Sequence, residues 1–348
     1  MNTDTSGTVP ASSTPPASGT PPASGTPPAS GTLPHLGLLR FSGPDAQSFL
    51  QGQVSNDTRR LGEGRGVLAA YSTPQGRVLA IMHLLPHSSG IAAILPRDLI
   101  SPTLEALRRF VLRAKVKIED GGEVLSVAGH HGAELHAAEG QHGARDLRSA
   151  GIAIPPPNAG YTETDGIGVA AVNGDPSRYW VIGAAGTLAE RGLTGDASQA
   201  EMIERGWRLA DIRAGLPQIY LSTREAFVAQ MLNLDLLDGI SFNKGCYTGQ
   251  EIIARTQHLG RIKRRLYRLR LPLGDWSIGG PLHLSDGRTG RLVEAVRIGD
   301  AFEALAVLNV QANAGAAGGS SSVTESGDGE AGMGATVIAT SLPLPYEV

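Results

Sequence analysis

The residues best suited to chemistry lie close together, within residues 240–255. This stretch holds the only cysteine of the 348 residues, Cys246, with Lys244 shortly before it and Glu251 shortly after it. A nearby ammonium group favours the thiolate, which is the form of cysteine that attacks electrophiles and binds metal ions. Because glycines lie on both sides of Cys246, we expect the thiol to lie on a loop.

A structural interpretation of the same residues stays open. The glycines could form a tight turn before a strand, with Cys246 acting only as a small apolar side chain. From residue types and spacing alone, this interpretation is the favoured one. Tyr247 and Gln250 add a phenol and an amide to the same stretch, and Arg255 ends it with a cation.

The composition limits the class of protein. Hydrophobic residues make up 41% and charged residues 18% of the chain, as in globular proteins, and the length predicts two domains. No apolar run is long enough for a transmembrane helix, so no membrane association is expected. A single cysteine excludes an intramolecular disulfide and fits a reducing compartment, so we expect a cytoplasmic protein. The net charge of −3 gives no general attraction to nucleic acids.

The first 34 residues predict a disordered tail. They repeat Thr-Pro-Pro-Ala-Ser-Gly from Thr14, Thr20 and Thr26, and this composition offers little apolar surface to bury. A second Gly/Ser/Ala-rich stretch, at about residues 312–336, predicts a disordered loop.

The remaining chain mixes predicted strands and helices, which favours an α+β fold. The pattern predicts a strand from Leu36, a hairpin within residues 66–85, a helix from Ser101, a helix that starts near Ser198 and ends near Gly215, and an alternating strand at residues 266–271.

Two clusters of polar residues have competing interpretations. His130, His131, His136 and His142 do not match common zinc spacing, so a solvated surface is predicted for them. Residues 255–270 carry seven cations, with no acidic residue from Ile252 to Gly274. They predict either the exposed face of an arginine-rich strand or a phosphate-attracting patch. Without aromatic stacking partners, direct nucleic-acid binding is not favoured.

Residues 244–251, which read Lys-Gly-Cys-Tyr-Thr-Gly-Gln-Glu, resemble the signature of the YgfZ family. The family comprises folate-binding relatives of the glycine-cleavage aminomethyltransferase. The resemblance covers nearly everything after residue 34. Further matching segments are Ala-Arg-Thr at 254–256, Phe-Leu-Gln-Gly-Gln-Val at 49–54, Arg-Ala-Gly-Leu-Pro at 213–217 and Pro-Leu-Pro-Tyr at 343–346.

The resemblance implies both a fold and a function. Residues 35–255 are expected to form two aminomethyltransferase-like α+β subdomains around a folate cleft, and residues 256–348 a small antiparallel β-barrel. The implied function is that of a tetrahydrofolate-binding accessory protein. Such a protein supports assembly or repair of iron–sulfur enzymes, with linked effects on tRNA modification. Its partners would be iron–sulfur proteins or assembly factors and tRNA-modifying enzymes.

The resemblance also implies roles for individual residues. Cys246 would be a reactive thiol, or one ligand of a transient iron–sulfur cluster shared with a partner, because clusters usually take four protein ligands. Lys244 and Glu251 would assist it. Trp207 is implied as a pterin contact, because a flat indole suits stacking on a flat ring, although Trp207 could equally be a core residue of its helix. The other implied cofactor contacts are Leu36, Tyr247, Gln250 and Arg255.

Two alternative functions remain. The first is a folate-dependent aminomethyl transferase. True transferases carry an aspartate after an early Gly-Gly turn, whereas this chain reads Gly-Arg-Val-Leu-Ala-Ile at residues 76–81, so catalysis is not favoured. Arg213 also stands where many relatives have glutamate. The second alternative is a non-catalytic tRNA-associated module that acts through the cations of residues 255–270.

Overall fold

Fifteen strands and five α-helices make up the part of the chain that the computed structural model describes, residues 30–131, 147–148, 150–175, 177–258, 262–310 and 336–348, with backbone alone at Glu63 and His258. The strands are β1 (Ser30–Thr32), β2 (Leu36–Ser42), β3 (Val67–Ser72), β4 (Val78–His87), β5 (Gly90–Pro96), β6 (Lys117–Asp120), β7 (Ser126–His131), β8 (Tyr161–Thr164), β9 (Ile167–Ala171), β10 (Arg178–Gly183), β11 (Arg264–Pro272), β12 (Pro281–His283), β13 (Thr289–Ile298), β14 (Ala301–Asn309) and β15 (Thr340–Leu342). The helices are α1 (Ala46–Gln51), α2 (Ile100–Arg108), α3 (Ala185–Glu190), α4 (Ala200–Ala214) and α5 (Gln250–His258).

Sheet 1 has the strand order β3-β4-β5-β2-β6, with every pair antiparallel. Strand β4 lies between β3 and β5, and its apolar run is buried along almost its whole length. The predicted hairpin is confirmed: β3 and β4 pair with Ala70 opposite Ile81, and the turn between them contains Gly76 at a φ of +72°. A left-handed φ of this kind favours glycine at the turn.

Sheet 2 has the order β1-β7-β10-β9-β8 and is also antiparallel. Its first strand corrects the boundary of the predicted disordered tail, because Ser30–Thr32 pair with β7 and Leu33 is only 1% exposed. A strand at a sheet edge is held by backbone hydrogen bonds, which small polar residues can also make. Residues 1–29 of the predicted tail lie outside the described residues.

Sheet 3 belongs to the C-terminal part of the chain and has the order β12-β13-β14-β11-β15. It contains the arginine-rich strand predicted at residues 266–271, now β11. One parallel bridge, between Leu284 and Val337, connects the two edges of the sheet. Among the described residues no continuous ladder closes the expected barrel. The loop predicted at about residues 312–336 lies outside the described residues, apart from Thr336.

Helix α4 lies between sheets 2 and 3. Its buried face includes Ile203, Trp207 and Ile212, and the helix ends at Gly215, which has a φ of +65°. A left-handed glycine is a common helix terminator, and the predicted end near Gly215 is confirmed. A continuous apolar core extends from sheet 1 through Trp207 to Val293 of sheet 3.

The described elements therefore combine antiparallel sheets with short helices, as the α+β prediction expects. None of the helices that the structure describes is both long and apolar enough to cross a membrane.

Candidate functional site

Residues 244–251, here called the signature loop, lie against the turn that follows helix α1. The Ser241 amide donates to the Ser55 carbonyl at 3.0 Å, and the Thr248 amide donates to the Gly52 carbonyl at 3.3 Å. The Ser55 hydroxyl in turn donates to the Gly239 carbonyl at 2.6 Å. Two segments that are far apart in sequence, and that both resemble the YgfZ family, thus form one structural unit.

Lys244 holds this unit together from the inside. Its side chain is buried, and Nζ donates to the carbonyl oxygens of Gln51 at 2.7 Å, Val54 at 2.7 Å and Asn56 at 2.8 Å. Burial lowers the pKa of Lys244 to about 8, an effect that the Asp57 carboxylate opposes. An ammonium has three hydrogens, and all three are used here. Lys244 therefore has no hydrogen left to donate to a neighbouring thiolate, and the activation of Cys246 by its charge stays a prediction.

Cys246 is the outward-facing residue of the signature loop. Its thiol is free and exposed, whereas Lys244 and Tyr247 on either side of it are buried. The Lys244 ammonium lies 4.8 Å from the centre of the Tyr247 ring, and burial raises the pKa of Tyr247 to about 12. The loop thus presents the thiol to solvent from a well-anchored backbone.

Helix α5 begins at Gln250, within the last two residues of the signature loop, so the predicted turn before a strand is instead a turn before a helix. Gln250 is the first residue of α5, and the exposed Glu251 lies in its first turn, where a carboxylate complements the helix dipole. Arg255 is also exposed, one turn further along. Gln250 and Glu251 thus lie at the start of α5, four and five positions after Cys246, and Arg255 lies one turn further along the helix.

The turn of the β3–β4 hairpin packs against the signature loop at Gly249. A Cβ added at Gly249 would lie 2.6 Å from the Thr73 carbonyl oxygen, and the φ of this residue is +85°. Beyond the turn, Arg77 is exposed and donates to the Ala226 carbonyl at 3.2 Å. Residues 76–81, where the resemblance implies an aspartate in true aminomethyltransferases, contain no carboxylate.

Trp207 lies elsewhere, in a buried group that we call the tryptophan cluster: Trp207, Trp180, Arg178 and His83. Trp207 is only 1% exposed, so its ring does not face an open cleft. The Arg178 guanidinium carbon lies 4.7 Å from the Trp207 ring centre, and the Trp180 ring lies 6.3 Å from it. The His83 ring contacts Trp180 at 4.1 Å, so the cluster joins α4 and sheet 2 to sheet 1.

Charges within the cluster are largely compensated. Arg178 is fully buried and donates from Nε to Asp175 and from Nη1 to Asp211, both at 2.7 Å. Burial raises the pKa of Asp211 to about 6, although Arg178 opposes the rise. Burial also lowers the pKa of His83 to about 3, so its imidazole is neutral near neutral pH.

Each member of the tryptophan cluster nevertheless has a buried nitrogen without a hydrogen-bond partner among the described residues. These atoms are Nε1 of Trp207, Nε1 of Trp180, Nε2 of His83 and Nη2 of Arg178. Buried polar atoms are nearly always paired in folded proteins, so four in one cluster call for a functional explanation. Sequence analysis missed Trp180, Arg178 and His83 as site residues, because they come from two sheets and share no local spacing.

Leu36 is another of the residues implied as cofactor contacts. It is buried at the start of β2, where it lies opposite Pro96. Gly129 leaves room for both Trp207 and Leu33, because a Cβ added there would lie 2.4 Å from the Trp207 ring and 3.0 Å from Leu33.

Three of the six described cations of residues 255–270 form ion pairs, one of them Arg270 with Asp300 at 3.3 Å. Arg265 pairs with Asp235 at 2.6 Å, and Arg268 pairs with Glu303 at 2.6 Å. Glu303 also accepts from Arg213 at 2.8 Å. These contacts favour the structural interpretation of an arginine-rich strand face.

No group of metal-ligating side chains occurs among the described residues. His130 and His131 lie at the end of β7, and His136 and His142 lie outside the described residues. Of the predicted site residues, Cys246 is therefore the one candidate ligand, and any cluster would need ligands from elsewhere.

Comparisons with known proteins place these features in a family. No family model matches the chain. It is 32% identical over 273 residues to the tRNA-modifying protein YgfZ of Cronobacter sakazakii, covering 76% of this chain and 79% of that one. It is 31% identical to the protein of the same name from an Enterobacter species, with the same shares covered.

A solved structure shows the same fold. The glycine cleavage system aminomethyltransferase T from Bartonella henselae matches with a TM-score of 0.52 at 14% identity, over 82% of this chain and 79% of that one. The aminomethyltransferase-like fold implied by the signature is therefore confirmed. Together with the identities above 30%, these matches show that the chain belongs to the YgfZ family of tRNA-modifying proteins.

Proposed function

We propose that this chain is a tetrahydrofolate-binding accessory protein that supports assembly or repair of iron–sulfur enzymes, with linked effects on tRNA modification. Family membership supports the connection with tRNA, because the relatives are tRNA-modifying proteins by name. The observation that carries the folate part is the set of four unpartnered buried nitrogens in the tryptophan cluster.

The residues of the cluster fit a pterin. A pterin is a flat ring with nitrogen and oxygen acceptors at its edge, and indole faces stack well on flat rings. One of the two indoles would stack on the ring, while the Arg178 guanidinium and the N–H of the other indole would donate to its edge. A small cavity lined in part by His83 and Trp180 adjoins the cluster. Because Trp207 is so deeply buried, ligand entry would require α4 and the sheets to separate locally.

Tetrahydrofolate is a carrier of one-carbon units when bound. We propose no transfer step at the protein, because residues 76–81 offer no carboxylate to act on a proton.

Cys246 supplies the link to iron–sulfur enzymes in this proposal. The thiol is exposed on a loop that Lys244 fixes from below, so a partner can reach it without unfolding the loop. As one ligand among the usual four, it would share a cluster with a partner protein or a small thiol. The exposed Glu251 and Arg255 border the same approach and offer charges for recognition.

The folate part is tested by titrating the full-length protein with tetrahydrofolate, following both heat of binding and tryptophan fluorescence. We expect binding with quenching in the wild type and in a Trp276→Phe variant, because Trp276 lies in the C-terminal part of the chain. A Trp207→Phe variant should lose the part of the quenching that Trp207 contributes, and Trp180 should keep the rest. Absence of binding heat in the wild type would refute the folate proposal, and equal quenching in both variants would remove Trp207 from the site.

The cysteine part is tested separately, in cells that lack the protein. We expect wild-type protein to restore iron–sulfur enzyme activity and Cys246→Ala to fail, with equal amounts of both proteins present. Full rescue by Cys246→Ala would rule out the proposed role of the thiol, whatever the folate titration shows.

A further inference from the structure

A second basic segment, distinct from residues 255–270, runs from the last residue of helix α2 to the first residue of strand β6. We call residues 108–117 the basic loop. It carries five cations and no acidic residue, in a chain whose net charge is −3. The five are Arg108, Arg109, Arg113, Lys115 and Lys117.

The cations of the basic loop are less neutralised than those of residues 255–270. Lys117 pairs with Glu119 at 2.6 Å, and Arg108 donates to the Ile118 carbonyl at 3.0 Å. Arg109, Arg113 and Lys115 are exposed and have no ion pair with any described residue. Like charges kept close together without counterions leave a positive potential that attracts polyanions.

The basic loop also exposes two large apolar side chains. Leu112 is 87% exposed and Phe110 is 46% exposed. Meanwhile Val111 and Val116 pack against the core, so the loop has a buried side and an outward side.

The backbone of the loop is fixed. The Asp45 carboxylate accepts from the Lys115 amide at 2.6 Å, and the Lys115 carbonyl accepts from the Asp45 amide at 3.3 Å. A Cβ added at Gly43 would lie 2.4 Å from the same carbonyl oxygen, so glycine permits this close contact. A preorganised loop pays less ordering entropy on binding than a flexible one does.

We propose that the basic loop is an RNA-binding surface. Arg109, Arg113 and Lys115 would contact backbone phosphates, and Phe110 would stack on an unpaired base. RNA is commonly recognised at single-stranded loops, whose bases stack on aromatic side chains and arginine planes. An anionic membrane fits less well, because interfacial binding depends on buried apolar area and the loop offers two side chains on a non-helical segment.

This inference is independent of the tryptophan cluster and of folate. Only the choice of tRNA as probe rests on the proposed function. A failure to bind folate would leave the basic loop unaffected, and a failure to bind tRNA would leave the folate titration unaffected.

The test measures binding of a fluorescently labelled, unmodified tRNA transcript to the full-length protein by anisotropy at several salt concentrations. Three phosphate contacts predict a slope of log K against log salt of about −2, which weakens binding roughly 15-fold between about 50 and about 200 mM NaCl. Changing Arg109, Arg113 and Lys115 together to Gln should remove most of this salt dependence and weaken binding at least tenfold at the lower salt concentration.

The matched control changes two exposed arginines of residues 255–270, Arg264→Gln with Arg270→Gln, and should keep the wild-type affinity. Equal tRNA affinity in the triple variant and the wild type would overturn the proposal, as would absence of tRNA binding at the lower salt concentration. Melting temperatures of all variants check that folding is intact.

A second pair of variants separates RNA from membrane. Base stacking predicts that Phe110→Ser weakens tRNA binding by about tenfold, whereas Leu112→Ser changes it little. Flotation with phosphatidylglycerol vesicles gives the alternative. Vesicle binding that both substitutions abolish, with tRNA binding unchanged, would show that the loop is a membrane-docking element instead.

Discussion

Lys244 and Cys246 are two positions apart but lie in opposite environments. The Lys244 ammonium is enclosed by three backbone carbonyls, whereas the Cys246 thiol faces solvent. Lys244, which the sequence predicts to favour the Cys246 thiolate, thus anchors the signature loop in the structure. The Cys246 thiol lies at the surface on a loop that Lys244 anchors, although Lys244 donates its hydrogen bonds to backbone carbonyls.

This difference predicts that substitution of Lys244 lowers the stability of the protein far more than substitution of Cys246 does. Lys244→Met should lower the free energy of unfolding by about 3 kcal/mol, because three buried carbonyl groups lose their charged donor. Cys246→Ala should change it by less than about 0.5 kcal/mol, because an exposed sulfur leaves no cavity. Urea denaturation of both variants alongside wild type measures the two values.

Alkylation with iodoacetamide supplies the control on the thiol. We expect Cys246 to react readily in the native wild-type protein. A Lys244→Met variant that is as stable as wild type but reacts much more slowly would mean that Lys244 activates the thiol after all.

His83 and Asp211 predict opposite dependences of stability on pH. Burial lowers the pKa of His83 from 6.5 to about 3, so below pH 6.5 the unfolded state binds a proton that the folded state does not. This contribution to stability therefore falls as pH falls. Relative to His83→Leu, the wild type should lose about 2 kcal/mol between about pH 7 and about pH 5.

Asp211 serves as the control of opposite sign. Burial raises its pKa from 3.8 to about 6, so between these values the folded state holds the extra proton. Relative to Asp211→Asn, the wild type should gain about 1 kcal/mol over the same pH range. If the wild type lost stability relative to both variants over this pH range, or gained it relative to both, one of the two side chains would not be buried as described.

At the scale of elements, the contact between the signature loop and the β3–β4 hairpin depends on one glycine. Gly249→Ala should destabilise the protein by about 2 kcal/mol or more, because the new Cβ would meet the Thr73 carbonyl at 2.6 Å in a left-handed conformation. Gly245→Ala is the matched control, since no atom lies within 4 Å of its added Cβ. Thermal unfolding of the two variants decides: equal melting temperatures would show that the hairpin contact is dispensable.

Patterns within a single element predicted single elements well. The turn residues around Gly76 predicted the hairpin, Gly215 predicted the end of α4, and alternation predicted β11. Each of these signals acts over a few residues, through backbone conformation or side-chain periodicity. The resemblance to the YgfZ family added the fold, and the solved aminomethyltransferase structure confirms it.

Contacts between elements could not be read in the same way. The bond from Lys244 to Val54 and the one from Arg178 to Asp211 join residues that are 190 and 33 positions apart. No local pattern encodes such distances. Strand β1 was missed for a related reason: its Ser-Gly-Thr sequence looks like the preceding repeats, and its order comes from pairing with β7 and from the buried Leu33.

At the scale of the whole molecule, a polar network attaches sheet 3 to helix α4. Glu294 of β13 is buried and accepts from Arg208 of α4 at 2.6 Å and from the Tyr220 hydroxyl. Burial, reinforced by Glu294, raises the pKa of Tyr220 well above its usual value, so this phenol stays a donor. Arg213 of α4 and Glu303 of β14 make a second, more exposed link between the helix and sheet 3, at 2.8 Å.

The network predicts that the C-terminal sheet is held by a few buried charges as well as by apolar packing. Glu294→Gln should lower the free energy of unfolding by about 2 kcal/mol, because Arg208 loses its short carboxylate contact and keeps only Glu204, at 3.7 Å. For a chain of this size the melting temperature should fall by about 3 °C. Asp300→Asn is the control, since the Asp300–Arg270 pair is exposed on both sides and such pairs contribute little. Scanning calorimetry compares the two variants with wild type. Equal melting of Glu294→Gln and wild type would mean that apolar packing alone joins sheet 3 to α4, and a separate early transition would mean that the sheet unfolds independently.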